Sequence, residues 1–154
     1  NAIPTIAEFK NLYDVNVLSN HAILEILLPL FIQQKNGKVV FMSSLASLFS
    51  MPNAKVYSSS KRALNAYAQG LRYKYKEYGV RVITILPWFI ESEMTQNNDF
   101  TMPFILSAED GVKRIMNAIE KDKEFYAFPF KFYFLIRFFA ILPASLIHKI
   151  LKFI

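Results

Sequence analysis

Two short apolar runs on either side of one long helical stretch constrain this chain more than any other feature. The first, Lys38-Val39-Val40-Phe41-Met42-Ser43, is bounded by polar residues; the second, Val80-Arg81-Val82-Ile83-Thr84-Ile85-Leu86, ends at Pro87. Both have the length and β-branched content of buried strands. Between them Val56, Ala63, Leu64, Ala66, Tyr67, Leu71, Tyr75 and Tyr78 recur at helical spacing over residues 55–78, and Gly79 supplies a stop. Strand, helix and strand with short connections make a βαβ unit, which requires a parallel sheet and a right-handed crossover.

The flanks extend this pattern. Residues 5–35 read as one helical region, opened by a Thr5/Glu8 capping box, with a kink or boundary expected at Pro29 and a stop at Asn36-Gly37. Residues 45–54 are expected to be irregular, with a turn at Pro52-Asn53. Residues 88–106 lack periodicity yet carry Trp88, Phe89, Met94, Phe100, Met102 and Phe104, the composition of a functional loop. Ser107 and Asp110 can cap a helix over 108–121. A third strand is expected over 124–128, then helix, Pro143 and helix to the end.

Composition narrows the chemistry. The 154 residues are 53% hydrophobic and 19% charged, which suits a packed core. With no cysteine there is no disulfide scaffold, thiolate metal site or cysteine nucleophile. His21 and His148 lie far apart, against a histidine zinc site or a protease-type triad, and no metal is expected. Gly37, Gly70, Gly79 and Gly111 are too dispersed for a phosphate-cradling loop. The chain starts at Asn1, as a processed, truncated or partial chain would, and no secretory leader is visible.

The candidate chemistry centres on Tyr57 and Lys61, which share one helix face at i and i+4. An ammonium beside a phenol favours the phenolate and is expected to lower its pKa, so that the tyrosine can exchange a proton with a hydroxyl or carbonyl. Alone, this pair also fits a solvated helix face. Ser44 follows the first strand and precedes Tyr57 by thirteen positions, and Pro87 closes the next strand at the same edge. In open α/β sheets that edge is where ligands bind.

These residues resemble the classical short-chain dehydrogenase/reductase family. Ser44, Tyr57 and Lys61 match its Ser-x12-Tyr-x3-Lys spacing, and residues 37–47 resemble its strand and serine loop. Asp14-Val15-Asn16-Val17 resembles the stretch carrying its asparagine, and Pro87-Trp88-Phe89-Ile90-Glu91-Ser92-Glu93-Met94 resembles its Pro-Gly-x-x-x-Thr stretch. The likeness runs from about residue 6 to 124. It implies an α/β fold: the C-terminal half of a doubly wound, parallel-sheet Rossmann-type domain over 1–128, with a helical, aromatic-rich extension over 129–154. It also implies an NAD- or NADP-dependent oxidoreductase interconverting a carbonyl and an alcohol. Tyr57 would be the acid/base, Lys61 would assist it and bind the nicotinamide ribose, and Ser44 would position the substrate oxygen. Asn16 would hold a relay water, while Pro87, Ile90 and Ser92 would lie against the nicotinamide. Trp88, Phe89 and Met94 would line a pocket for a small hydrophobic substrate.

Two departures stand out. The family's glycine-rich turn and ribose selector have no counterpart, so these residues alone are expected to be inactive for want of a full cofactor site; Asn1-Ala2 resembles the end of a preceding motif. Trp88 stands where the family carries glycine, without glycine's backbone freedom. A non-catalytic oligomerisation or peripheral-membrane module is the rival reading. Helices over 5–35 and 55–78 imply a homodimer or homotetramer by resemblance.

The net charge is +6, and residues 125–154 hold Lys131, Arg137, Lys149 and Lys152, no acid, and 10 of the 24 aromatics. Their longest apolar run, broken by Arg137 and Pro143, is too short to span a bilayer. The tail either covers the cleft or a subunit interface, or lies on lipid headgroups; without a recognised motif, nucleic acid is not an expected partner. The location expected is cytoplasmic, with peripheral membrane contact left open.

Overall fold

A computed structural model describes residues 3–50, 52–96, 102 and 104–151. The chain opens with α1 (Ile6–Tyr13), a π-helical turn at Asp14–Leu18 and α2 (Ser19–Gln34), one continuous helical stretch. The capping box is formed: Glu8 N–H donates to Thr5 Oγ1 at 3.2 Å and Thr5 N–H to Glu8 Oε2 at 2.7 Å. Then come β1 (Gly37–Met42), 3-10 turns at Leu45–Ser47 and Pro52–Ala54, α3 (Lys55–Tyr75) with a 3-10 end at Lys76–Tyr78, and β2 (Val80–Pro87). A short α4 (Glu93–Gln96), α5 (Ala108–Glu120), β3 (Phe125–Phe128), α6 (Phe130–Ile141) and α7 (Ala144–Leu151) complete it. Ser107 caps α5, accepting from Asp110 N–H at 3.2 Å.

The sheet is parallel, in the order β1-β2-β3, with Val39 opposite Val82 and Thr84 opposite Phe125. β2 is buried on both faces, which accounts for its unbroken apolar run. On one face Val80 and Val82 pack with Phe41, Leu64 and Ala68 beneath α2 and α3. On the other, Ile83 and Ile85 pack with Ala118 of α5 and Phe128. Helices thus cover both faces, the doubly wound arrangement. Beyond the strand ends, Leu45, Leu86 and Ala127 meet Ile136 of α6.

Two expectations for the first helix are corrected. α2 runs on through Pro29, and the departure from α geometry falls at Asp14–Leu18 instead. Pro29 lacks the N–H that would bond the Glu25 carbonyl, and both residues are exposed. The helix ends at Lys35, in the left-handed region at φ 50°, while Gly37 already belongs to β1, against the Phe31 ring. The stretch Ile6–Gln34 is long and apolar enough to cross a membrane by length and composition. Here Leu24, Leu28, Phe31 and Ile32 pack it against the sheet side of the core.

At the opposite end of the sheet from the serine, Asp122 takes Lys38 at 2.6 Å and Arg81 at 3.2 Å. The hydrogen bond from Lys38 chiefly, with the charge of Arg81, holds its carboxyl below the ordinary 3.8. Such a depressed carboxylate adds stability above its ordinary pKa and loses it as pH falls through the folded value. Asp122 has φ 48°, a conformation asparagine also tolerates, so Asp122→Asn isolates the charge. The variant is expected to melt below wild type at neutral pH, with the gap closing below pH 3.8. Gly79, at φ 76°, carries the turn into β2, and a Cβ there would strike the Lys35 carbonyl. Gly79→Ala is expected to cost at least about 1 kcal/mol in denaturant unfolding.

Candidate active site

Ser44 leaves β1 at its carboxyl end in extended conformation and caps the 3-10 turn, accepting from Ala46 N–H at 3.1 Å. Tyr57 sits in the first turn of α3, where the Ser44 side chain lies near enough to act on its phenol. One turn on, Lys61 Nζ donates to the Met42 carbonyl at the end of β1, 2.9 Å away. The same ammonium lies 5.7 Å from the Tyr57 ring centroid. Ser44 after β1 and two residues of α3 thus meet at the carboxyl edge of the sheet.

The electrostatics differ from the expected lowering of the phenol. Burial pushes Tyr57 above its ordinary 10, and the nearby Ser44 side chain only offsets this in part. Burial likewise draws Lys61 below its ordinary value. The physical reason is desolvation: each charged form loses water, while the Lys61 ammonium engages a backbone carbonyl and not the phenol oxygen. Tyr57 is therefore held toward its neutral phenol form.

Asn16 lies in the π turn and donates to Ser60 Oγ at 3.0 Å, and Ser60 Oγ donates to the Tyr57 carbonyl at 2.8 Å. Tyr13 donates to Ser59 at 3.0 Å in the same seam. Ser59 and Ser60 thus join the first helix to the tyrosine turn. Ser43 bonds at the strand end, its N–H to the Ile85 carbonyl at 2.8 Å and its hydroxyl to the Lys61 carbonyl at 3.3 Å.

Pro87 ends β2 opposite Phe128. Trp88 packs on Phe132 of α6 and on Phe89, with ring centroids 4.3 and 4.5 Å apart. The Ile90 side chain packs with the core cluster below α5, where Gly111 lets it approach. Thr95 Oγ1 donates to the Ile90 carbonyl at 3.0 Å and itself accepts from Ser92 N–H at 2.8 Å. Thr95 therefore pins the segment that carries Ile90 and Ser92. No hydrogen bond joins that segment to Ser44, Tyr57 or Lys61 among the described residues. The Met94 side chain, Phe100 and Asn1-Ala2 lie outside the described residues.

The sequence reading missed the support behind Ser44. Ser47 Oγ donates to the Ser44 carbonyl at 2.6 Å and accepts from Asn65 Nδ2 at 2.6 Å, while Arg62 Nε donates to the Ser47 carbonyl at 2.9 Å. Asn65 and Arg62 lie on α3 after Lys61, so one helix holds both the tyrosine and the serine loop. Asn65→Ala is expected to speed amide exchange at Ala46 about tenfold. In an alkaline titration followed by phenolate absorbance, the component removed by Tyr57→Phe is expected above pH 10. Since the folded value is raised, the stability carried by this phenol is complete below pH 10 and is lost as pH rises through that value.

A profile of the short chain dehydrogenase family matches residues 4–102. An uncharacterized oxidoreductase of Myxococcus xanthus is 33% identical over 137 residues, 89% of this chain and 54% of that protein. A short-chain dehydrogenase of Burkholderia cenocepacia in complex with NADP has the same fold, with a TM-score of 0.79 at 20% identity over 93% of this chain and 60% of the other. One from Sphingobium yanoikuyae in complex with NADPH gives 0.77 at 19% identity, over 82% and 51%. The chain spans about half the length of the curated relatives it matches. With the profile running from α1 past β2 and Ser44, Tyr57 and Lys61 gathered at the strand ends, the chain belongs to the short-chain dehydrogenase family of oxidoreductases.

Proposed function

We propose that this chain carries the proton-transfer site of an NAD(P)-dependent oxidoreductase that interconverts a carbonyl and an alcohol. The observation that carries the reading is the gathering of Ser44, Tyr57 and Lys61 at the carboxyl ends of parallel strands, with Lys61 Nζ on the Met42 carbonyl at the end of β1. Residues 1–128 are read as the C-terminal half of a Rossmann-type domain and 129–154 as its extension.

The nicotinamide end of a dinucleotide fits the residues present. An ammonium has three donors and Lys61 uses one on Met42, which leaves two for ribose hydroxyls. Pro87 and the Ile90–Ser92 segment, pinned by Thr95, would support the carboxamide side. The bound dinucleotide supplies or accepts hydride. Ser44 donates a hydrogen bond to the substrate oxygen and fixes its position. In the reducing direction Tyr57 gives its proton to the oxygen that gains charge as the carbonyl becomes an alcohol, and in oxidation it takes that proton back. The raised pKa keeps the phenol protonated for the reducing direction. Asn16, tied through Ser60 to the tyrosine turn, holds a water by which Lys61 returns the proton.

The aromatic wall of Trp88, Phe89 and Phe132 supports a hydrophobic carbonyl substrate. Exposed Ile23, Ile26, Leu27 and Leu30 on α2 support burial against a second copy, in a homodimer or homotetramer.

The test is reduction of apolar ketones by the full-length protein with NADH or NADPH, followed by loss of reduced-nicotinamide absorbance. Tyr57→Phe is expected to lower kcat about 100- to 10,000-fold with the fold intact by circular dichroism. Turnover unchanged by that substitution would overturn the proton-transfer role. Turnover of small sugars as fast as of apolar ketones would overturn the substrate class. A stable monomer by light scattering would overturn the assembly.

A further inference from the structure

α6 is apolar on two opposite sides. Phe132, Ile136 and Phe139 face inward: Ile136 is buried with Leu45, Leu86 and Ala127, Phe132 packs on Trp88, and Phe139 meets Phe49. On the outer side Phe130, Phe134, Phe138 and Ile141 are 68%, 53%, 56% and 75% exposed. At about 100° per residue these four fall within a stripe about 80° wide. Lys131 and Arg137 lie about 20° beyond its two edges, one on each side. Neither forms an ion pair among the described residues, and both are exposed. No acid occurs anywhere from Phe125 to the end of the chain. In α7, exposed Leu146 accompanies exposed His148 and Lys149, whereas Lys152 lies outside the described residues.

An exposed aromatic stripe rimmed on both sides by cations, in a segment free of carboxylates, is complementary to an anionic bilayer surface. The rings enter the acyl boundary and the long basic side chains reach the headgroup phosphates. A protein interface of this apolarity would be expected to meet such cations with acids, and this segment offers none to a second copy of itself.

We propose that α6 docks the protein on an anionic lipid surface, lying in the plane of the interface with its Phe130, Phe134, Phe138 and Ile141 stripe in the lipid. Its opposite side bears on Trp88 and, through Phe132 with centroids 5.7 Å apart, on Phe104. One helix then joins the lipid to the wall of the candidate cleft, and a lipid-soluble carbonyl substrate reaches the site from the interface. That second step rests on the proposed function; docking itself does not.

The test is co-sedimentation of the full-length protein with phosphatidylcholine vesicles, with and without phosphatidylserine. Binding is expected only to the phosphatidylserine vesicles. Lys131→Ala with Arg137→Ala is expected to lower partitioning about thirtyfold, and Phe134→Ser with Phe138→Ser to abolish it. All four side chains are exposed, so the fold is retained, as circular dichroism checks. No sedimentation with either vesicle, equal sedimentation with both, or loss of a light-scattering oligomer on Phe134→Ser with Phe138→Ser would each overturn the assignment to anionic lipid. Because binding is read without turnover, a failed ketone assay leaves this result standing, and the reverse holds too.

Discussion

The architecture depends on one strand having no free side. β2 pairs with β1 along one edge and β3 along the other, while α2 and α3 cover one face and α5 the other. Its backbone polar groups are out of water and must be met by parallel neighbours, so the three strands end together at one edge. That shared edge is where Ser44, Tyr57, Pro87 and the segment after it come close without being near in sequence. α3 then uses three successive stretches of its length on that edge: Tyr57 toward Ser44, Lys61 on the Met42 carbonyl, and Arg62 with Asn65 on Ser47.

Burial, more than pairing, sets the electrostatic character of this edge. A phenol and an ammonium one helical turn apart are commonly expected to stabilise each other's charged forms. Here each is drawn toward its neutral form, because each is partly removed from water and the lysine spends a donor on a backbone carbonyl. The result is a pair in which the hydroxyl proton is held in place rather than shed. The pair is held from behind by serines: Ser47 beneath the serine loop, and Ser59 and Ser60 between α3 and the first helix.

Much of this was legible in the sequence because it rests on local punctuation. Thr5 with Glu8, Ser107 with Asp110, and Gly79 mark helix ends by bonds within three residues or by a left-handed turn. The alternation of short apolar runs with helical spacing was enough for the parallel α/β order, and the gaps between Ser44, Tyr57 and Lys61 were enough to group them. The remainder depends on tertiary contact. Asn65 and Arg62 look like ordinary polar positions on a helix until folding brings Ser47 against them. The direction of the Tyr57 shift follows from how much water is excluded, which no spacing encodes. Pro29 reads as a breaker, yet α2 runs on through it, with Pro29 and Glu25 both exposed. Thr95 carries no motif signal, although its hydroxyl fastens the Ile90–Ser92 segment.

The π-helical turn at Asp14–Leu18 has a geometric consequence of its own. A π turn accommodates about one residue more than an α turn, so it acts as a phase shift along an otherwise regular rod. Residues before and after it follow two different angular registers, offset by about 100°. In the upstream register Tyr13 meets Ser59; in the downstream one Leu24 and Leu28 meet the sheet core. A single regular α-helix of the same sequence would satisfy one set of contacts and turn the other away. The extra residue thus lets one helix serve two surfaces that are out of step with each other, the hydrophobic layer and the tyrosine turn, with Asn16 at the point of transition.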